Sequence, residues 1–79
     1  MTLEQASHTI KSVLGEIAPE ADCDALAADA DIRDTLELDS LDFLNFVEML
    51  SQRSGQRIDE DDYPRLATLG SGSAFLAGR

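Results

Sequence analysis

The residues best placed to do chemistry in this chain are Leu38-Asp39-Ser40-Leu41-Asp42-Phe43-Leu44. An acidic residue directly precedes a serine at the point where an amphipathic helix begins. A hydroxyl there is exposed and faces the positive end of the helix dipole. It is suited to carrying a covalently attached phosphate ester. An ordinary helix start has the same composition, because Ser and Asp are preferred N-caps. The rest of the chain must decide between these.

Other chemistries find little support. His8 is the only histidine and has no evident link to a nucleophile, so it reads as a surface or rim residue. Cys23 is the only cysteine, with no sequence-near His or Lys to lower its pKa, and reads as a small inert thiol. A calcium loop starting at Asp22 needs Gly and Glu where Ala27 and Arg33 stand; one starting at Asp59 meets Pro64 and Gly70. The aspartates therefore read as a solvated acidic surface, with no metal site. No glycine-rich phosphate loop is present. No base, metal set or cofactor loop supports an enzyme acting alone.

The chain has 79 residues, enough for one domain over 1–79. A domain this size buries about 60–65% of the surface its unfolded chain exposes, which leaves little room for an enclosed catalytic site. Sixteen acidic residues against six basic ones give a net charge of −10. That argues against nucleic acid or anionic membrane as direct partners and favours proteins with basic patches. One cysteine allows no internal disulfide and no thiolate metal site. Met1 to Ile17 mixes Glu4, Gln5, His8 and Lys11 with apolar residues, unlike a signal peptide. No apolar run approaches the roughly 20 residues of a membrane span. A cytoplasmic monomer is the expectation.

The elements that position Ser40 follow from pattern. Thr2 and Gln5 match a capping box, and Leu3, Ala6, Ile10, Val13, Leu14 and Ile17 form the apolar stripe of a first helix that Pro19 ends. Residues 18–38 predict a long ordered loop with one helical turn, pinned by Leu26, Ile32, Leu36 and Leu38. A second helix starts at Asp39 or Ser40, with Asp42 completing an acidic capping box. Leu41, Leu44, Val47 and Leu50 form its stripe, which Phe43, Phe46 and Met49 widen; Arg53 and Gly55 suit its end. Asp59 and Asp62 bracket the start of a short third helix that Pro64 interrupts or ends. Thr68 caps a fourth running toward Ala77, anchored by Leu69, Phe75 and Leu76 and weakened by Gly70 and Gly72 at about 0.8–1 kcal/mol each. The fold class is all-α: a small bundle of three longer helices and one short one, with a long first connection.

Leu36-Glu37-Leu38-Asp39-Ser40-Leu41 followed by an apolar helix resembles the attachment site of the acyl carrier protein family. Ile32 and Leu36 stand where the family has apolar loop anchors. Ile58 followed by Asp59-Glu60-Asp61-Asp62 resembles the start of its short third helix, and Thr68-Leu69 the start of its last. The similarity covers nearly the whole chain. Asp-Ser-Leu alone is a weak pattern; at the midpoint of an acidic four-helix chain it is specific.

The resemblance implies that Ser40 carries a 4′-phosphopantetheine arm, with Asp39 and Leu41 completing the attachment motif. The arm holds acyl groups as thioesters. The implied partners are a phosphopantetheinyl transferase, an acyl-loading ligase or transferase, and downstream acyl-processing enzymes. Asp42, Phe43, Leu44 and Glu48 are the expected partner contacts. Leu41 and Phe43 flank the serine and are expected to be exposed, which makes Phe43 the first candidate for partner selection. Leu44, Val47, Ile58, Tyr63 and Leu69 are candidates for an acyl-facing wall, or are simply core.

There are departures. Glu37 replaces the family's usual glycine, Thr35 a common aspartate, and Ser54 a common aromatic. Asn45, Ser51, Gln52 and Arg53 stand where the family is commonly acidic, leaving only Glu48. These point to a specialised carrier rather than the housekeeping one of fatty acid synthesis. An aminoacyl or peptidyl carrier uses the same arm and fold. A different class altogether is an unmodified acidic helical interaction module, with Asp39-Ser40 as a cap.

Overall fold

The computed structural model of the protein describes residues 1–78. Four α-helices and two 3-10 segments follow one another along it: α1 (Leu3–Ile17), a 3-10 turn (Cys23–Ala25), α2 (Ile32–Leu36), α3 (Ser40–Ser54), a 3-10 helix (Glu60–Leu66) and α4 (Leu69–Ala77). Helix α3 is the predicted second helix, and α4 the predicted fourth. Helix α1 packs against both α3 and α4, and the 3-10 helix packs against α4. Ile10, Val13, Leu14, Ile32, Phe46, Leu50, Leu66 and Leu76 form the fully buried centre.

Helix α1 begins with the predicted box. The Gln5 amide donates to Thr2 Oγ1 (3.1 Å), and the Thr2 amide donates to Gln5 Oε1 (2.9 Å). It ends at Ala18, before Pro19. Leu3, expected in its apolar stripe, is 60% exposed. Helical side chains lean toward the N-terminus, so a residue in the first turn reaches past the end of the helix rather than onto its neighbours.

The connection from 18 to 38 is more structured than its sequence predicts. It holds α2 as well as the 3-10 turn. Asp31 caps α2 by accepting from the Asp34 amide (2.9 Å), and Ile32 anchors it in the core. Helix α2 closes at Glu37, whose backbone is left-handed (φ 55°, ψ 44°). This is the position of the resembled family's glycine. A side chain there carries a steric cost that glycine does not. The segment is stitched to the start of α4 by two backbone bonds: Ile32 N–H to Ala67 O and Gly70 N–H to Ala28 O, both 2.8 Å.

Helix α3 buries Phe43, Phe46, Val47 and Leu50, at i, i+3, i+4 and i+7. The Leu41–Leu44–Val47–Leu50 stripe is therefore corrected at its first two members: Leu41 is 67% and Leu44 46% exposed. A strict three-residue spacing drifts about 60° per step on a helix of 3.6 residues per turn. Over three steps the drift reaches about half a turn, placing Leu41 opposite Leu50. Gly55 closes the helix at φ 69°, as its position predicts.

Pro64 neither interrupts nor ends the short third helix, which continues to Leu66. The fixed φ of proline, near −65°, lies within the 3-10 range. Gly70 and Gly72 are sites of close approach. A Cβ on Gly70 would stand 3.1 Å from Ala28 O, and one on Gly72 would stand 3.2 Å from Ile10 Cδ1 and 3.4 Å from Leu66 Cδ2. The two glycines let α4 lie against the connecting segment and α1. Thr68 caps α4 by accepting from the Ser71 amide (3.1 Å).

Candidate functional site

Ser40 is the first residue of α3, and its cap is supplied entirely by its neighbours. The Asp42 amide donates to Asp39 Oδ1 (2.8 Å), and the Asp39 amide donates to Asp42 Oδ2 (3.5 Å). Both carboxylates thus lie where the helix dipole favours negative charge. The exposed Ser40 hydroxyl is left out of the capping bonds. The bond it does receive is a long one, from Arg33 Nη2 at 3.4 Å.

Arg33 is the residue that sequence reasoning missed. It lies on α2, and its guanidinium carbon is 5.3 Å from the centre of the Phe43 ring. Phe43 in turn packs edge-on against Tyr63, with ring centres 5.7 Å apart, and tilted against Phe46 at 5.8 Å. Asp31, Arg33, Phe43, Tyr63, Pro64 and Ala67 line an open groove of about 280 Å³, and Arg33 also reaches the serine hydroxyl. Only knowledge that α2 exists, and which way it faces, brings position 33 to position 40.

The predicted site residues separate into two faces. Asp39, Ser40 and Leu41, the predicted attachment motif, stand at the helix start, all exposed, with Asp42 half-buried behind them. Leu41, Leu44 and Glu48 share the outer face of α3. Phe43 does not join them. It is 7% exposed, so the expectation of an exposed Phe43 that selects partners is corrected. The helical period puts it on the arc of Phe46 and Leu50, and two aromatic neighbours and Arg33 cover its ring. Of the proposed acyl-facing wall, Val47, Ile58 and Tyr63 line an open groove of about 320 Å³ together with Glu48, Ser51 and Gln52. Leu44 is exposed outside that wall, and Leu69 is buried in the core.

The other nucleophile is inert. Cys23 is buried, and burial pushes its thiol pKa up, with Asp24 and Asp22 adding in the same direction. His8 is exposed on α1, in a shallow cleft with Glu4, Ser7, Lys11 and Asp24. No helix among the described residues is long and apolar enough to cross a membrane.

An exposed hydroxyl with a guanidinium beside it, and an open groove adjoining, fits a phosphate ester with a flexible extension. The comparisons with known proteins agree. Residues 8–76 match the family model for the phosphopantetheine attachment site. Among solved structures, the chain is similar to an acyl carrier protein from Enterococcus faecalis, with a TM-score of 0.75 and 24% identity over 99% of this chain and 98% of that one. That likeness establishes the fold. No curated protein matches. The protein is thus a carrier rather than a catalyst: it belongs to the phosphopantetheine attachment family, whose members hold 4′-phosphopantetheine covalently on a serine.

Proposed function

We propose that Ser40 is the attachment serine and that the chain is an acyl carrier working in a specialised pathway. The observation that supports this most is the division of labour at the start of α3. Asp39 and Asp42 cap the helix, and Ser40 keeps an exposed hydroxyl. In the modification step, Ser40 Oγ attacks the pantetheine-bearing phosphorus of coenzyme A. A new P–O bond forms, the pyrophosphate P–O bond breaks, and adenosine 3′,5′-bisphosphate leaves. The serine proton passes to a base of the transferase. The chain itself needs no triad, because a separate enzyme activates the hydroxyl.

The bound arm supplies a terminal thiol that holds cargo as a thioester. The protein's own residues present it. Leu41, Leu44 and Glu48 form a mixed apolar and acidic face next to the serine, suited to a partner surface with an apolar pocket and a basic rim. Acyl cargo is favoured over aminoacyl cargo by the net charge of −10, which resembles the acyl carriers.

The experiment is incubation with a broad-specificity phosphopantetheinyl transferase, coenzyme A and Mg²⁺, followed by intact mass. Wild type gains one phosphopantetheine and S40A gains none. Loading of the product by an acyl ligase but not by an aminoacyl ligase supports acyl cargo, and the reverse assigns a peptidyl-type carrier. A folded wild-type chain that gains no mass is an unmodified interaction module.

A further inference from the structure

Arg33 is one of six basic residues in a chain with sixteen acidic ones. Two other arginines are spent on ion pairs, Arg53 with Glu16 and Arg57 with Asp59. Among the described residues, the Arg33 guanidinium has no carboxylate at ion-pair distance. It contacts the Phe43 ring and the Ser40 hydroxyl instead. Its backbone is held in place on both sides. Ile32 is fully buried and bonded to Ala67 O, and the left-handed Glu37 closes the helix. A cation beside a hydroxyl and over an aromatic ring matches the requirements of an organic phosphate. Guanidinium pairs with phosphate through two parallel N–H···O bonds and stacks on aromatic faces.

We propose that Arg33 is the internal counter-ion of the phosphodiester carried on Ser40. It pins the root of the arm above Phe43 and starts the pantetheine along the groove lined by Tyr63, Pro64 and Ala67. This rests on Ser40 being the attachment site. The Nη2–Oγ distance of 3.4 Å is long for a hydrogen bond between these two groups. A phosphate on Oγ would bring charged acceptor oxygens within reach of the same guanidinium. The pair joins one charge of each sign at the surface, so it responds to salt.

The test compares modified wild type with modified R33Q by NMR. Through-space cross-peaks are sought between the arm's geminal methyl groups and the rings of Phe43 and Tyr63, at low salt and at about 1 M salt, where the screening length is about 3 Å. Intact mass verifies modification of both proteins. Wild type shows the cross-peaks at low salt and loses most of them at high salt. R33Q converts fully to the modified form and lacks them at both. Modification also raises the melting midpoint of wild type by a few degrees and leaves that of R33Q unchanged. Cross-peaks of equal strength in R33Q, or none in modified wild type at low salt, overturn the proposal while the carrier function stands. A wild type that gains no mass removes both.

Discussion

Asp39 and Asp42 cap each other across the first turn of α3, and Ser40 between them is thereby released from capping. A serine that closed the helix itself would spend its oxygen on a backbone amide. Here that amide is bonded to an aspartate, and the hydroxyl remains exposed.

The first consequence concerns stability. S40A is expected to change unfolding free energy by well under the roughly 1 kcal/mol of a lost N-cap, whereas D39A loses about that amount. Urea unfolding of the two variants checks this. Equal losses would mean that Ser40 shares the cap.

Phe43 and Leu44 are sequence neighbours with opposite roles. Phe43 is buried between Phe46, Tyr63 and Arg33, so F43A costs about 3–5 kcal/mol in stability. Leu44 is 46% exposed, so L44A stays within about 0.5 kcal/mol of wild type while slowing transfer to partner enzymes. Thermal melts combined with a transfer assay separate the two effects. A mild F43A would place its ring outside the core.

Glu37 occupies a left-handed backbone position that suits glycine. E37G is expected to stabilise the protein by about 0.5–1 kcal/mol, the strain relieved exceeding the added flexibility of the unfolded chain. A lower melting midpoint in E37G would show that the Glu37 side chain contributes more than its backbone costs.

Arg53, in the last turn of α3, binds Glu16 and donates to Ser12 Oγ (3.2 Å), joining α3 to α1. The Arg53 hydrogen bond holds the Glu16 carboxyl below the usual glutamate range. A carboxyl with a depressed folded-state pKa stabilises above its unfolded value and loses that contribution as pH falls through the folded value. Wild type is therefore more stable than E16Q near neutrality, and the gap closes in acid below the ordinary glutamate range. Urea midpoints across pH test it. A gap independent of pH would assign the effect to packing.

Much of this architecture was legible in the sequence because it rests on local chemistry. Thr2, Asp39, Asp59 and Thr68 start helices through side chains three residues away, and Gly55 ends one through its own backbone. What was hidden depends on contacts distant in sequence. Helix α2 is too short to show a periodic stripe, and it is held by Ile32 in the core and by backbone bonds to the α4 end of the chain. The approach of Arg33 to Ser40 was invisible for that reason. Phe43 and Leu44 exchanged places because a three-residue repeat does not reveal which arc of a helix faces inward. Gly70 and Gly72 read as weak points until the surfaces they admit were in view.

The proposed tether is one oxygen, Ser40 Oγ. Cleavage of the modified protein after Arg33 and Arg53 isolates residues 34–53, which contain Ser40 and Ser51. Fragmentation of that peptide in a mass spectrometer distinguishes the two. The phosphopantetheine is expected on Ser40 alone. An adduct on Ser51, on a serine of another peptide such as Ser12 or Ser71, or on none, contradicts it.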